Sequence, residues 1–143
     1  MFMLAKFFQL SLFREKPELD VNILKKIWYD LIDSYFPERQ DLKNYRLVWS
    51  RKKQTRSLAS CSIEKRTIRV AKAMALPSSR PYLEALVYHE LCHAVLGPPK
   101  IVRGRRIMHG KEFKNIEKNH PNIKYLDTWI NSGGWDKAVR IAS

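Results

Sequence analysis

Apolar residues recur with different periods along this chain, and each period predicts a particular element. Residues 20–36 place apolar side chains at every third or fourth position, which predicts an amphipathic helix that ends at Pro37. Residues 45–49 alternate between apolar and polar positions and predict a strand. Residues 58–63 and 67–72 flank a short polar turn and predict a β-hairpin.

Residues 80–96 are the most continuously apolar segment and predict a helix that is buried around most of its surface. Ser78 or Ser79 can cap its N-terminus, and Pro81 falls in the first turn, where a missing N–H costs little. Gly97, which two prolines follow, predicts the end of the helix.

Shorter helices are expected at residues 111–118 and 125–131, the second of them ended by a pair of glycines. A helix, a small antiparallel sheet and then further helices indicate an α+β fold. A length of 143 residues with 45% apolar composition suits a single domain over residues 1–143, with 1–19 as a candidate peripheral segment. Residues 1–13 are too short to span a bilayer, so we expect them to pack against the domain, with a partner or membrane-surface contact as the alternative.

The motif that carries chemistry is His89-Glu90-Leu91-Cys92-His93, an H-E-x-x-H sequence inside the buried helix. Residues four positions apart differ by about 40° around a helix, so both histidines can reach one metal ion from one face. Glu90 can reach a water on that metal and act as a general base. The alternative is a pair of structural histidines beside a paired glutamate, but burying these groups without a metal would be costly. The motif therefore predicts a zinc centre of the peptidase type.

A third ligand is expected, because catalytic zinc usually has three protein ligands and one open position. Of the four histidines in the sequence, His109 and His120 lie outside the motif. His109 stands in an H-G-K-E-F segment shortly after the helix and is favoured, whereas His120 precedes a proline and is expected at the surface. Glu112 and Glu117 are the carboxylate alternatives, and solvated positions on a helix are the other interpretation of both.

Cys61 and Cys92 are the two cysteines of the sequence. Both fall in predicted regular elements, so we expect buried thiols rather than a disulfide, and hence a reducing, intracellular location. Cys92 is rotated by about 60° from His89 and by about 100° from His93 around the helix, so we do not expect it to be a ligand.

The H-E-L-C-H-A motif at residues 89–94, followed by H-G-x-x-F at 109–113, resembles the SprT-like (Spartan/SprT) zinc metalloprotease family. Residues 49–51, 60–61 and 68–70 are similar to the strands that precede the zinc helix in that family. The resemblance extends over roughly residues 20–130, and the second motif makes it more specific than H-E-x-x-H alone.

The resemblance implies that His89, His93 and His109 bind zinc and that Glu90 is the catalytic base. It further implies proteolysis of DNA-associated or DNA-crosslinked proteins, as in DNA repair, with DNA as an activator. Many relatives also carry a cysteine-rich zinc ribbon, which two cysteines cannot form.

A formal net charge of +13 is the second informative feature of the sequence. Basic residues form two clusters, one after the first predicted strand and one mostly in the loop that precedes His109. The first comprises Arg51, Lys52, Lys53 and Arg56, and the second Lys100, Arg103, Arg105, Arg106 and Lys111. Such a surface attracts polyanions, nucleic acid first, although solvated charge runs are the ordinary alternative.

The sequence favours zinc-dependent cleavage of protein substrates. Glu90 would take a proton from a zinc-activated water that attacks the peptide carbonyl and then pass it to the leaving amine. Tyr125 and the arginines at 103–106 are candidates for stabilising the oxyanion. The alternatives are a non-catalytic, zinc-stabilised DNA-binding module and a metal-dependent hydrolase of a non-protein substrate. We expect no membrane span, and the sequence does not specify the oligomeric state.

Overall fold

The first helix lies where the apolar period predicts it. A computed structural model describes residues 15–52 and 56–143, and helix α1 spans Val21–Tyr35. Asp20 caps this helix, because its side chain accepts a hydrogen bond of 2.9 Å from the backbone N–H of Asn22. The buried face of α1 is apolar and carries Trp28, whose indole N–H donates to the Leu42 carbonyl at 2.8 Å.

Three short strands form a mixed sheet. Strands β1 (Arg46–Ser50), β2 (Ala59–Ser62) and β3 (Thr67–Ala71) lie in the order β1-β3-β2. The predicted β2–β3 hairpin is confirmed, but β1 runs parallel to β3, so the antiparallel sheet expected from the sequence is wrong in one of its two pairings. Alternation along a strand fixes which residues share a face and leaves the neighbouring strand unspecified. In the order β1-β3-β2, strand β2 lies at one edge of the sheet.

Helix α2 spans Arg80–Leu96, with the bounds that the sequence predicts. Ser79 occupies the N-cap position, although its hydroxyl donates to the Ala73 carbonyl instead of capping the helix. Gly97 follows the last turn with a φ of 77°, a left-handed conformation that favours glycine. The helix is buried on most sides because it packs against α1, β2 and the two helices that follow.

A second, two-stranded sheet follows α2, and the sequence pattern does not predict it. Strands β4 (Lys100–Val102) and β5 (Arg105–Ile107) pair antiparallel. Arg103 and Gly104 join them, with φ values of 51° and 76°. Two consecutive positive φ values are typical of a type I′ turn, the connection that suits the twist of a tight hairpin.

Three short helices complete the fold: α3 (Lys111–Glu117), α4 (Ile123–Asn131) and α5 (Gly134–Ala142). The first two agree with the sequence prediction within two residues, and α5 was not predicted. The chain is therefore α+β, as expected. Within the described residues, no helix combines the length and apolar character needed to cross a membrane. The expectation for residues 1–13 falls outside the described part of the chain.

Candidate metal centre

Helix α2 and the segment between the β4–β5 hairpin and α3 bring three histidines together. His89 and His93 lie on one face of α2, and their ring centroids are 5.1 Å apart. His109, which directly follows the β4–β5 hairpin, places its ring 5.0 Å from that of His89 and 4.9 Å from that of His93. One nitrogen from each ring lies within 4.8 Å of the other two, so the group can hold a metal ion.

The spacing of two nitrogens in this cluster fits a shared metal ion. The Nε2 atoms of His93 and His109 are 3.0 Å apart. Two nitrogens bound to one tetrahedral zinc at about 2.0–2.1 Å lie about 3.3 Å from each other, so this spacing needs little adjustment. Burial lowers the pKa of His93 to about 4 and also lowers the pKa of His109. Both rings are therefore neutral at physiological pH, which is the form that binds a metal.

Phe113 supports all three histidine rings from one side. Its ring centroid lies 4.9 Å from His89, 4.5 Å from His93 and 4.7 Å from His109. The phenylalanine of the H-G-x-x-F segment is almost completely buried and thus holds the start of α3 against α2. This packing explains why the segment carries an aromatic residue four positions after the histidine.

Glu90 is buried beside the histidines, with 4% of its surface exposed. Burial raises the pKa of Glu90 to about 7, while the charge of His89 acts to lower it. A bound cation would favour the ionised carboxylate, which is the form that a general base requires.

Glu117, the last residue of α3, contacts His89 through its carboxylate. Its Oε2 atom is the hydrogen-bond partner of His89 Nδ1. Burial acts to lower the pKa of His89, but this hydrogen bond and the neighbouring carboxylates together raise it above its usual value. The same hydrogen bond lowers the pKa of Glu117. Glu117 was considered as a ligand from sequence, and the structure places it behind a histidine instead.

An open cavity of about 700 Å³ lies in front of the three histidines and Glu90. The edge strand β2 forms part of its wall, as do the hairpin and residues of α4. The hairpin contributes Lys100, Val102 and Ile107, which lie on one face because Lys100 pairs with Ile107 in the register. The sequence did not indicate that α4 contributes to the cavity wall. The spacing of Leu126, Asp127 and Ile130 predicts a short helix but not where that helix packs.

The basic residues divide between the cavity and the outer surface. Arg56, Lys100 and Lys111 line the cavity and therefore bring both predicted clusters to one cleft. Arg103, Arg105 and Arg106 are exposed on the hairpin, and Arg51 and Lys52 are exposed after β1; none of these five lines the cavity. Lys53 lies outside the described residues. Lys100 forms an ion pair of 2.6 Å with Glu112, which is exposed and does not belong to the group of side chains that could hold one ion.

His120 is buried rather than exposed, so the surface position expected from the sequence is wrong. Only 4% of its surface is accessible, and its ring packs 5.8 Å from Tyr35 and 5.1 Å from Tyr88. These contacts join residues that are distant in the sequence. The proline that follows His120 indicates a local turn and carries no information about them. Tyr125 is 67% exposed and does not line the cavity, so the structure does not bring it to the candidate site.

Cys61 and Cys92 are free thiols, in agreement with the expectation that they form no disulfide. Cys92 is fully buried, whereas Cys61 is partly buried and lines the cavity. Burial raises the pKa of each thiol to about 12, so both are protonated at neutral pH.

Comparison with known proteins gives a family for this arrangement. The sequence model of the SprT-like family matches residues 25–128, a span that covers well over half of the chain and contains all three histidines and Glu90. A search of curated proteins finds no match. The match agrees with the resemblance of the two histidine motifs and with the α+β fold around them. The chain belongs to the SprT-like family.

Proposed function

We propose that this protein is a zinc-dependent metalloendopeptidase that acts on DNA-associated proteins. The observation that carries the proposal is the meeting of three histidine nitrogens and a buried glutamate at one wall of an open cavity. His89, His93 and His109 would hold the ion, and the cavity leaves room for a substrate beside them. A purely structural zinc site is usually closed by a fourth protein ligand. An open cavity at the histidines therefore favours the catalytic alternative.

Zinc bound by the three histidines would supply a Lewis acid and lower the pKa of a bound water to about 7. Glu90 follows His89 on the helix and lines the cavity. In the proposed reaction its carboxylate would take a proton from the attacking water and return it to the leaving amine. Phe113 packs against all three histidine rings and would help to keep them in place.

The shape of the cavity supports a polypeptide as the substrate. Strand β2 is an edge strand and contributes residues from Ala59 to Cys61 to the cavity wall. An extended peptide can add to such an edge through main-chain hydrogen bonds, which require no particular side-chain sequence. Val102 and Ile107 of the β4–β5 hairpin also line the cavity. Their side chains can make apolar contacts with the same peptide. An edge strand beside an H-E-x-x-H helix is the zincin-like arrangement that we propose for this fold.

The distribution of charge supports DNA as the partner that brings substrates to the cleft. Arg56 from the first cluster and Lys100 and Lys111 from the second line the cavity. Further exposed basic residues lie on the hairpin and after β1. The net charge of +13 adds a long-range attraction for a polyanion. Contacts of this kind bind phosphates and carry no base preference.

A cleavage assay with purified, zinc-loaded protein tests the proposal. The substrates are a basic DNA-binding protein with and without duplex DNA, and an unfolded protein that has no affinity for DNA. The proposal expects cleavage that stops on removal of zinc by a chelator and that DNA stimulates for the DNA-bound substrate. Zinc binding without any cleavage would favour the non-catalytic module, and equal cleavage with and without DNA would remove DNA from the function.

A further inference from the structure

Glu117 is the carboxylate that contacts the ring of a candidate zinc ligand from behind. Its Oε2 atom pairs with Nδ1 of His89, on the opposite side of the ring from Nε2. Within residues 15–52 and 56–143, no corresponding carboxylate hydrogen bond is present for His93 or His109. The support is therefore specific to the first histidine of the motif.

The position of Glu117 is fixed by contacts between α3 and α2. The hydroxyl group of Tyr88, the residue before His89, donates to the Ile116 carbonyl at 2.6 Å. At the other end of α3, the buried Phe113 packs against the histidine rings. These two contacts attach α3 to the helix that carries the motif, and the carboxylate of Glu117 reaches His89 from that fixed backbone.

Glu117 also has no competing ion pair among the described residues, whereas Glu112 on the same helix pairs with Lys100. Its side chain is 21% exposed, and that of His89 is 25% exposed, so water screens their interaction only in part. Asp127 is a further carboxylate whose charge acts on His89, but it makes no hydrogen bond with the ring of His89.

We propose that Glu117 is a positioning residue of the metal centre. Its carboxylate accepts the Nδ1–H hydrogen bond of His89, which fixes the tautomer that leaves Nε2 free for zinc and holds the ring in its orientation. A carboxylate in this role also makes the imidazole a stronger donor, and loss of such a partner typically weakens metal binding 10- to 100-fold. This inference rests on the proposed zinc site, and it does not depend on proteolysis.

Zinc affinity of the full chain, measured in competition with a chromophoric chelator, tests the role of Glu117. Glu117→Ala should weaken zinc binding by roughly 10- to 100-fold. Glu117→Gln should restore part of the loss, because the amide oxygen still accepts a hydrogen bond but carries no charge. Glu112→Gln is the matched control on the same helix and should bind zinc like the parent. Circular dichroism of the zinc-free proteins identifies any variant that fails to fold. If Glu117→Ala does not fold, the zinc affinity of Glu117→Gln relative to the parent decides the question.

Nitrogen NMR of the histidine rings provides a readout that a merely structural role would not change. In the zinc-loaded parent, His89 should be protonated at Nδ1 and bound to metal through Nε2, and Glu117→Ala should alter the Nδ1 signal while leaving those of His93 and His109 in place. Parent-like zinc affinity of Glu117→Ala, with His109→Ala clearly weakened, would overturn the inference and leave the zinc site intact. Failure of the parent to bind zinc would overturn both this inference and the proposed function.

Discussion

Each side chain of the candidate metal centre owes its position to its place in the local sequence and to a contact with a distant segment. His89 and His93 share a face because four residues nearly complete a helical turn, and this relation is visible in the sequence. His109 joins them only because the hairpin returns the chain to α2 and Phe113 packs against the rings. The contact of Glu117 with His89 depends on how α3 is oriented, so the sequence offered Glu117 only as a carboxylate near a motif.

His109 should contribute to zinc retention, whereas His120 should not. The nitrogens of His109 lie within reach of the ion that His89 and His93 would bind, while His120 packs against Tyr88 in the core. We expect about one zinc per parent chain by elemental analysis and a clear loss in His109→Ala. The control, His120→Ala, should retain zinc even though it is less stable to heat. Loss of zinc in His120→Ala alone would show that the third ligand is assigned wrongly.

The elements differ in how far local sequence determines them. The approximate bounds predicted for helix α2 are confirmed, because its apolar content, its first-turn proline and its terminal glycine all act locally. The β4–β5 hairpin was missed because its strands have three residues each and are exposed throughout, so they carry no hydrophobic period. Helix α5 was missed because it begins at Gly134, a residue that usually indicates the end of a helix. The parallel β1–β3 pairing depends on a contact between distant segments, which no local period specifies.

His120 should make the packing of α1 and α2 sensitive to acid. Burial lowers the pKa of His120 below its usual value of 6.5, although the charge of Glu84 acts in the opposite direction. The unfolded chain therefore binds more protons in this range, and the contribution of His120 to stability is complete above about pH 6.5 and is lost as the pH falls towards the folded value. Between pH 7.5 and 5.5, thermal unfolding of the parent should shift further than that of His120→Phe, which keeps an aromatic ring at this position. Parallel shifts in the two proteins would show that His120 does not contribute to the pH dependence.

At the scale of the whole molecule, basic residues of both clusters line the cavity that contains the three histidines. Basic residues from segments distant in the sequence, Arg56 and Lys100, line the cavity that the histidines face. The clusters themselves could be read from the sequence, because charge runs are visible without a structure. Their convergence on one cleft could not, since it depends on the placement of the hairpin and of the residues that precede β2. The structure likewise separates the exposed arginines of the hairpin from the cavity wall.

DNA binding should weaken steeply as salt increases. If about four phosphates are neutralised, the logarithm of the binding constant should fall with the logarithm of salt concentration at a slope of roughly −3 to −4. Neutralising Arg103, Arg105 and Arg106 together should flatten this slope and reduce DNA-stimulated cleavage, because these exposed side chains lie beside the cleft. Zinc content should not change in that variant and serves as its control. A parent protein that shows no DNA binding even at low salt would contradict the proposed role of DNA.

The central claim, that this centre hydrolyses peptide bonds with Glu90 as the base, is tested most directly by Glu90→Gln. Glutamine keeps the size of the buried side chain and removes its ability to take a proton from the attacking water. Zinc content, circular dichroism and the cleavage rate are measured on the parent and the variant side by side. We predict that the variant keeps its zinc and its fold and loses proteolysis by a factor of at least about 100. A zinc-loaded variant that cleaves the same substrate as fast as the parent would contradict the account.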